Sequence, residues 1–318
     1  MSQPSPDPVP VSRSFARVHP ALCLASGLFV SKAKAPRAAS GAPVILATQI
    51  MGDLSYVFTG IAPLGSDDLR VMQAVHLLAS QPANTLEIDT TTPRTPLAQT
   101  LVAALNPVIS TGEPVSAKML TGSVAALAEA GGYAQTAGGS REGVSGSLTR
   151  LAAIRVACLR DNQEVSVCQL LALADLDPEA DGFGAPTDTL AIALAPSLST
   201  PLLVSGGGRY VHLEQSDILT LGEDAEHGAR TRLLHLRLCG YIDPGKTKAV
   251  SAATLAEYAF GQPASKDTLR RQLGDIRKSM PLLGRLGWTV TADTRRGGRQ
   301  VFTLIRPALP IASRSKGK

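Results

Sequence analysis

The chain has 318 residues, 44% of them hydrophobic and 18% charged, which supplies a sizeable core and length enough for two domains. Aromatic residues at 4% are too few for single-stranded nucleic-acid stacking to be the main device, and no apolar run is long enough to cross a bilayer. The net charge of +5 is unevenly spread: Ser265 to the end holds 13 Lys/Arg against 3 Asp/Glu, and subtracting these from the totals of 31 and 26 leaves 18 against 23 before it. The basic excess is therefore local to the C-terminal region, as in a module that faces a polyanion.

In chain order, the proline-bearing residues 1–18 read as disordered, and Lys32 to Ala42 as a basic connecting loop. Val44–Ala47 and Leu54–Thr59 read as strands joined through Gly52-Asp53. Ser66-Asp67-Asp68 opens a helix with Leu69, Met72 and Val75 at core spacing, ending near Gln81-Pro82. Thr85–Asp89 reads as a strand, Leu97–Leu105 as an amphipathic turn, and Ser116–Glu129 as a second helix, or two short ones around Gly122. Ser140–Ala153 gives a third, with Arg141 and Arg150 on its outer face. Ile154–Leu159, Val165–Ala174 and Thr189–Leu194 are strand-like.

Three helices followed by strands is the order of a winged helix. Gly206-Gly207-Gly208 then marks the boundary between a domain at 19–205 and a second at 206–307, with a basic tail at 308–318. Within the second, Tyr210–Glu214 reads as a strand, Asp217–Leu221 as a short helix, Ala225–Tyr241 as a long one and Ala252–Phe260 as another, capped at Ser251. Ser265 caps the next, which puts Leu269, Leu273, Ile276 and Met280 on one side and Lys266, Arg270, Arg271, Arg277 and Lys278 on the other. Asp275 borders the basic face, Gly274 interrupts it, and Pro281 is expected to stop or kink the helix. A hairpin follows, Trp288–Ala292 and Gln300–Ile305, with Arg295, Arg296 and Arg299 at its Gly-rich tip, able to meet phosphates or a minor groove. The fold class is α+β, two winged helices in tandem, a duplication of architecture with no repetition of sequence identity.

Gly240-Tyr241-Ile242-Asp243-Pro244-Gly245-Lys246-Thr247 fits the phosphate-loop pattern G-x-x-x-x-G-K-[ST]. A phosphate loop needs a buried strand before it and a helix starting at the lysine. Here Arg232, His235 and Arg237 alternate with leucines at helical spacing, and the next cap is Ser251. The stretch reads better as a turn closing a helix, with Lys246 and Lys248 near DNA phosphates; a P-loop ATPase using Lys246 and Thr247 is the alternative. His235 and Cys239, one turn apart, read as a packed helix face. Cys23, Cys158, Cys168 and Cys239 show no C-x-x-C pairing and no zinc-spaced His, so neither a metal site nor a disulfide framework is expected. No nucleophile elbow is present, and no catalytic residue or cofactor is assigned.

The strings His19-Pro20-Ala21-Leu22-Cys23-Leu24-Ala25-Ser26-Gly27-Leu28-Phe29, Pro63-Leu64-Gly65-Ser66-Asp67-Asp68-Leu69-Arg70, Ala229 to Thr247 and Leu286 to Thr291 resemble the replication initiators of IncQ-type broad-host-range plasmids, the iteron-binding RepC-like family. The resemblance covers most of the chain, least well residues 82–140. It implies a non-enzymatic protein that binds duplex DNA at iteron repeats of a plasmid origin, opens the origin, and recruits a plasmid helicase and primase. A homodimer is left open, a cytoplasmic location is expected, and the first domain is read as serving dimerisation more than sequence reading. On this reading Arg270, Arg271 and Gln272 or Arg277 face bases, while Lys278 and the hairpin arginines position on phosphate. A two-winged-helix transcription regulator is the remaining alternative.

Overall fold

A computed structural model describes residues 14–31, 42–110, 115–133, 138–175, 189–203, 209–224, 226–261, 265–295 and 299–309. In chain order its elements are β1 (Phe15–Val18), α1 (Pro20–Leu24), β2 (Val44–Met51), β3 (Leu54–Gly60), α2 (Ser66–Ala79), β4 (Thr85–Asp89), α3 (Pro96–Leu105), β5 (Val108–Ile109), β6 (Ser116–Ser123), α4 (Val124–Ala130), α5 (Gly138–Ala152) and β7 (Arg155–Arg160). There follow β8 (Gln163–Gln169), β9 (Leu171–Asp175), β10 (Thr189–Leu194), α6 (Pro196–Ser199), β11 (Val211–Glu214), α7 (Gln215–Glu223), α8 (Gly228–Tyr241), β12 (Thr247–Ser251), α9 (Ala252–Phe260), α10 (Lys266–Arg285), β13 (Thr289–Arg295) and β14 (Arg299–Ile305). The fold is mixed α and β.

Among the described residues all strand pairs are antiparallel, in four sheets ordered β1-β11, β4-β6-β10-β9, β2-β3-β7-β8-β5 and β12-β14-β13. One hydrophobic core extends from Ala16 to Leu304, and a smaller one lies where α3 covers the four-stranded sheet.

Several expectations need correction. The disordered reading of residues 1–18 is too long, because Phe15–Val18 pairs with β11; residues 1–13 lie outside the described residues. Ser116–Glu129 is a strand followed by a helix. Met119 and Leu120 are helix formers by propensity, but here they are buried in a strand between β4 and β10, and tertiary pairing prevails. Gly206-Gly207-Gly208, expected to mark a boundary, lie outside the described residues. Pro281 does not stop α10 but lies inside it, and the helix runs on to Arg285: the proline is exposed, while Leu282 and Leu283 after it are buried and hold the last turn to the core.

One order of elements occurs twice. Helix, strand, two helices and two strands appear as α2, β6, α4, α5, β9, β10 and again as α8, β12, α9, α10, β13, β14, with the last strand central each time. The first copy contains insertions between these elements. In both copies the last residue of the first strand is also the serine that caps the next helix: Ser123 accepts from the Ala126 N–H and Ser251 from the Thr254 N–H. Aligned on those serines, Ala125, Leu127, Ala128 and Glu129 recur as Ala253, Leu255, Ala256 and Glu257. Sequence identity is therefore detectable where none was expected.

The two first helices, α2 and α8, meet. Gln73 of α2 accepts from Arg232 of α8 at 2.9 Å, and both side chains are buried. Arg237 of α8 is 1% exposed and donates to the carbonyls of Leu22, Cys23 and Ala25 at the end of α1. Those are the carbonyls a helix end leaves without partners, so the guanidinium satisfies them and meets the negative end of the dipole. Burial lowers the Arg237 pKa to about 10, which leaves it charged at neutral pH. Arg237→Met should lower stability by about 3–5 kcal/mol, because it removes the donors from a buried helix end; urea unfolding would measure it.

Two buried imidazoles add a pH dependence. His19 caps α1 by accepting from the Ala21 N–H at 3.2 Å, and His76 lies 2.9 Å from the Met72 carbonyl. Burial lowers both to about 4, and in His19 the neighbouring His76 adds to it. The unfolded chain then takes up protons that the folded chain refuses. Their stabilising contribution is complete above pH 6.5 and lost as pH falls towards 4. Urea midpoints measured from pH 7.5 to 4.5 should fall across that window; a flat profile would contradict buried neutral imidazoles.

Candidate nucleic-acid interface

Helix α10 begins with the expected cap, Ser265 accepting from the Thr268 N–H, and with Asp267 in the first turn. Ile276, Met280 and Leu283 are buried, and Leu269 and Leu273 pack against the core. Lys266, Arg270, Arg271 and Lys278 are exposed and make no ion pair among the described residues. A cation in the first turn of a helix opposes its dipole, so helix stability alone does not account for Lys266. Between the two groups of cations Gly274 leaves the backbone bare: a Cβ built there meets nothing within 4 Å.

Two acidic or polar positions on this helix resolve differently from the cations. Asp275, which borders the basic face in sequence, turns to α8 and pairs with Arg230 at 3.2 Å. It fastens the helix to the core and does not dilute the cationic face. Gln272 is half-buried, and its Oε1 is buried without a hydrogen-bond partner. Arg277 is exposed and donates through Nε to Gln300 Oε1 at 2.8 Å, which joins α10 to β14. Gln300 is a positioning residue that sequence pattern did not single out, since its role depends on the hairpin folding back beside the helix.

The hairpin is anchored by Trp288 and Phe302, both 3% exposed, with Val301 also buried and Val290 packed against the core. Arg295 and Arg299 close it as a backbone pair, and Arg296 lies outside the described residues. Lys246 and Lys248 are exposed on the other side of this sheet, at and within β12, the edge strand farthest from β13. Lys248 Nζ lies 5.1 Å from the Tyr241 ring centroid. The structure thus brings the α10 cations and the hairpin together and sets the two lysines apart from them.

In the first copy of the repeat, Arg141 on α5 is half-exposed. Arg150 is engaged: its guanidinium lies 2.7 Å from Asp68 Oδ1 and also donates to Ser147. Asp68 in turn accepts from the Gly65 N–H at 2.7 Å at the start of α2. Arg150 is therefore part of the joint between α5 and α2.

The phosphate-loop lookalike has a local explanation for each glycine. A Cβ at Gly240 would stand 2.9 Å from the Cys23 Cβ, so glycine lets α8 approach α1. Gly245 has φ +73°, a left-handed turn position. A helix, α8, precedes the motif and a strand, β12, follows it, the inverse of the order that gathers amides around a phosphate. Gly240→Ala should lower the thermal midpoint and Lys246→Ala should leave it unchanged, read by calorimetry with and without ATP, which should shift neither.

His235 is buried with Asp217 Oδ2 at 3.3 Å and the Cys239 sulfur at 3.4 Å from Nε2. Burial works against its protonation, but Cys239 and Asp217 outweigh this and raise it to about 10. Among the described residues no cluster of three or more His, Cys, Asp or Glu could hold a metal, and no helix is long and apolar enough to span a membrane.

A family model described as replication protein C (RepC) matches residues 12–307. Among solved structures, domains 2 and 3 of RctB, crystallised as selenomethionine derivatives, are similar at 13% identity and a TM-score of 0.45, over 83% of this chain and 89% of that one. No curated protein matches the chain.

Proposed function

Because the chain belongs to the replication protein C (RepC) family, a family of replication initiators, we propose that it binds directly repeated iteron sequences in duplex DNA at a plasmid origin. Binding would open the origin locally and bring in the plasmid helicase and primase. The observation that carries the reading is the exposed cationic side of α10, bare at Gly274 and joined to the β13–β14 hairpin through Arg277 and Gln300. A helix with a hairpin beside it can lie along one duplex, the helix in the major groove and the hairpin on the neighbouring backbone or minor groove.

The repeated element order supports two winged helices in tandem, within 19–205 and 206–307, of which the second reads DNA. Arg270 and Arg271, both exposed, would reach base edges, since a guanidinium can donate twice to guanine. Lys266, Lys278 and the hairpin arginines Arg295, Arg296 and Arg299 supply phosphate contacts, with Gln272 adjoining and Arg277 holding the hairpin in register. Lys246, Lys248, Arg141 and Arg150 fall outside this surface or are engaged elsewhere, so their contribution would be limited to contacts beyond the central one.

The test is binding to origin repeats and to unrelated duplexes across a salt series, with footprinting. Arg270→Ala should cost about 1–3 kcal/mol on the repeats and relax specificity, whereas Lys278→Ala should weaken all sequences alike and reduce the salt slope by about 1. Gly274→Ala separates binding from folding. It should leave the protein as stable or raise stability by up to about 1 kcal/mol, since Ala is the better helix former and its Cβ has open space, while lowering affinity for DNA. Footprints without repeat-spaced protection would overturn the proposal.

A further inference from the structure

Cys239 and His235 stand one turn apart on α8, and the packing around them does more than fill space. The Cys239 sulfur lies 3.4 Å from His235 Nε2, and Asp217 Oδ2 of α7 lies 3.3 Å from the same nitrogen. One N–H is thus shared between a sulfur and a carboxylate. Burial opposes protonation of this imidazole, and Cys239 and Asp217 outweigh it, so His235 keeps its proton at neutral pH. A second cation stands close by: Arg306 donates to the Cys239 carbonyl at 2.6 Å.

The cluster faces open space. Cys239, His235 and Asp217 line a cavity of about 570 Å³ together with Trp288 and Arg306. Cys239 also borders a neighbouring cavity of about 540 Å³, beside Gly240 and Asp243. At 5% exposure the residue is shielded from bulk solvent, yet a molecule little larger than water can approach it from either space. The other three cysteines differ. Burial pushes the Cys23, Cys158 and Cys168 thiols up, Cys168 to about 12. Cysteines react where a cation accompanies an accessible sulfur, and cysteines in apolar surroundings are inert.

We propose that Cys239 is a modification site, at which hydrogen peroxide entering the cavity oxidises the sulfur to a sulfenic acid. The thiolate attacks one peroxide oxygen, forming the S–O bond as the O–O bond breaks. The O–O electron pair leaves with the second oxygen as hydroxide, which takes the Nε2 proton of His235 and departs as water. Sulfur loses two electrons and peroxide gains them. The product lies against the hairpin, because the His235 ring meets the ring of Trp288 edge-on, 6.1 Å between centroids.

The test uses the full chain without DNA, so its outcome is independent of the DNA-binding reading. Hydrogen peroxide is added with dimedone, which traps sulfenic acids, and labelled peptides are followed by mass spectrometry. Cys239 should be labelled on the order of tenfold or more faster than Cys23, Cys158 and Cys168 in the folded protein, and the four should react alike in urea. Trp288 is the one tryptophan of the chain, so its emission should change at the rate at which Cys239 is labelled. His235→Gln, checked for folding by circular dichroism, should slow labelling of Cys239 by a similar factor. Equal labelling of the four cysteines in the folded protein, constant emission while Cys239 is labelled, or a folded His235→Gln protein labelled at the parent rate would each overturn the proposal.

Discussion

The buried guanidinium of Arg237 is the contact on which the arrangement of helices depends. It brings a charge into the centre of the protein and places it against the open carbonyls at the end of α1. Both terminal nitrogens of the guanidinium are matched to carbonyls while its buried Nε has no partner among the described residues, so the position of α1 over α8 is fixed by more than apolar fit. The same device recurs. Arg306 donates to the Cys239 and Ile242 carbonyls at the end of α8, and Arg70 to the Gly131 and Gly132 carbonyls after α4. Helices α1, α4 and α8 thus end on a guanidinium drawn from a distant part of the chain.

Helix α8 is therefore a polar hub in an apolar setting. Arg230 reaches α10, Arg232 reaches α2, His235 reaches α7 and Arg237 reaches α1. These ties commit much of the cationic inventory to structure, which changes how the charge of the chain is interpreted. A positive residue in the first half of the sequence or in α8 is commonly a cap or a joint, as Arg70, Arg150, Arg232 and Arg237 are. Lys266, Arg270, Arg271 and Lys278 of α10 differ in kind: they stand in solvent with no ion pair among the described residues, and Lys266 lies at the dipole end that disfavours it. Net charge would not separate the two classes; partners do.

The legible parts of the sequence were those governed by local chemistry. The caps at Ser251 and Ser265, the turn at Gly52-Asp53 and the strand Thr189–Leu194 are set by residues adjacent in sequence, and the structure has them at those places. The helical reading of Ser116–Glu129 failed because the segment has helix-forming composition and the deciding partners, β4 and β10, are far away in the chain. Strand β12 has three exposed residues in five and little apolar signature; its pairing with β14 alone defines it. Of the candidate surface, the cationic side of α10 could be read from periodicity. That Asp275 turns to Arg230 and Arg277 to Gln300 could not, because both depend on how α8 and the hairpin pack beside the helix.

The duplicated element order gives the divergence between the two third helices a physical meaning. Helices α5 and α10 occupy the same place in their copies, and each is fastened by an arginine–carboxylate pair: Arg150 of α5 to Asp68 of α2, and Asp275 of α10 to Arg230 of α8. The ion pair joins third helix to first helix in both cases, with the charges exchanged. In α5 the arginine lies on the third helix itself, at the surface, and reaches the buried Asp68 of α2. In α10 the acid lies on the third helix, and Lys266, Arg270, Arg271 and Lys278 face outward. The two third helices thus keep one joint with opposite polarity, and the exposed cations of α10 stand in addition to it.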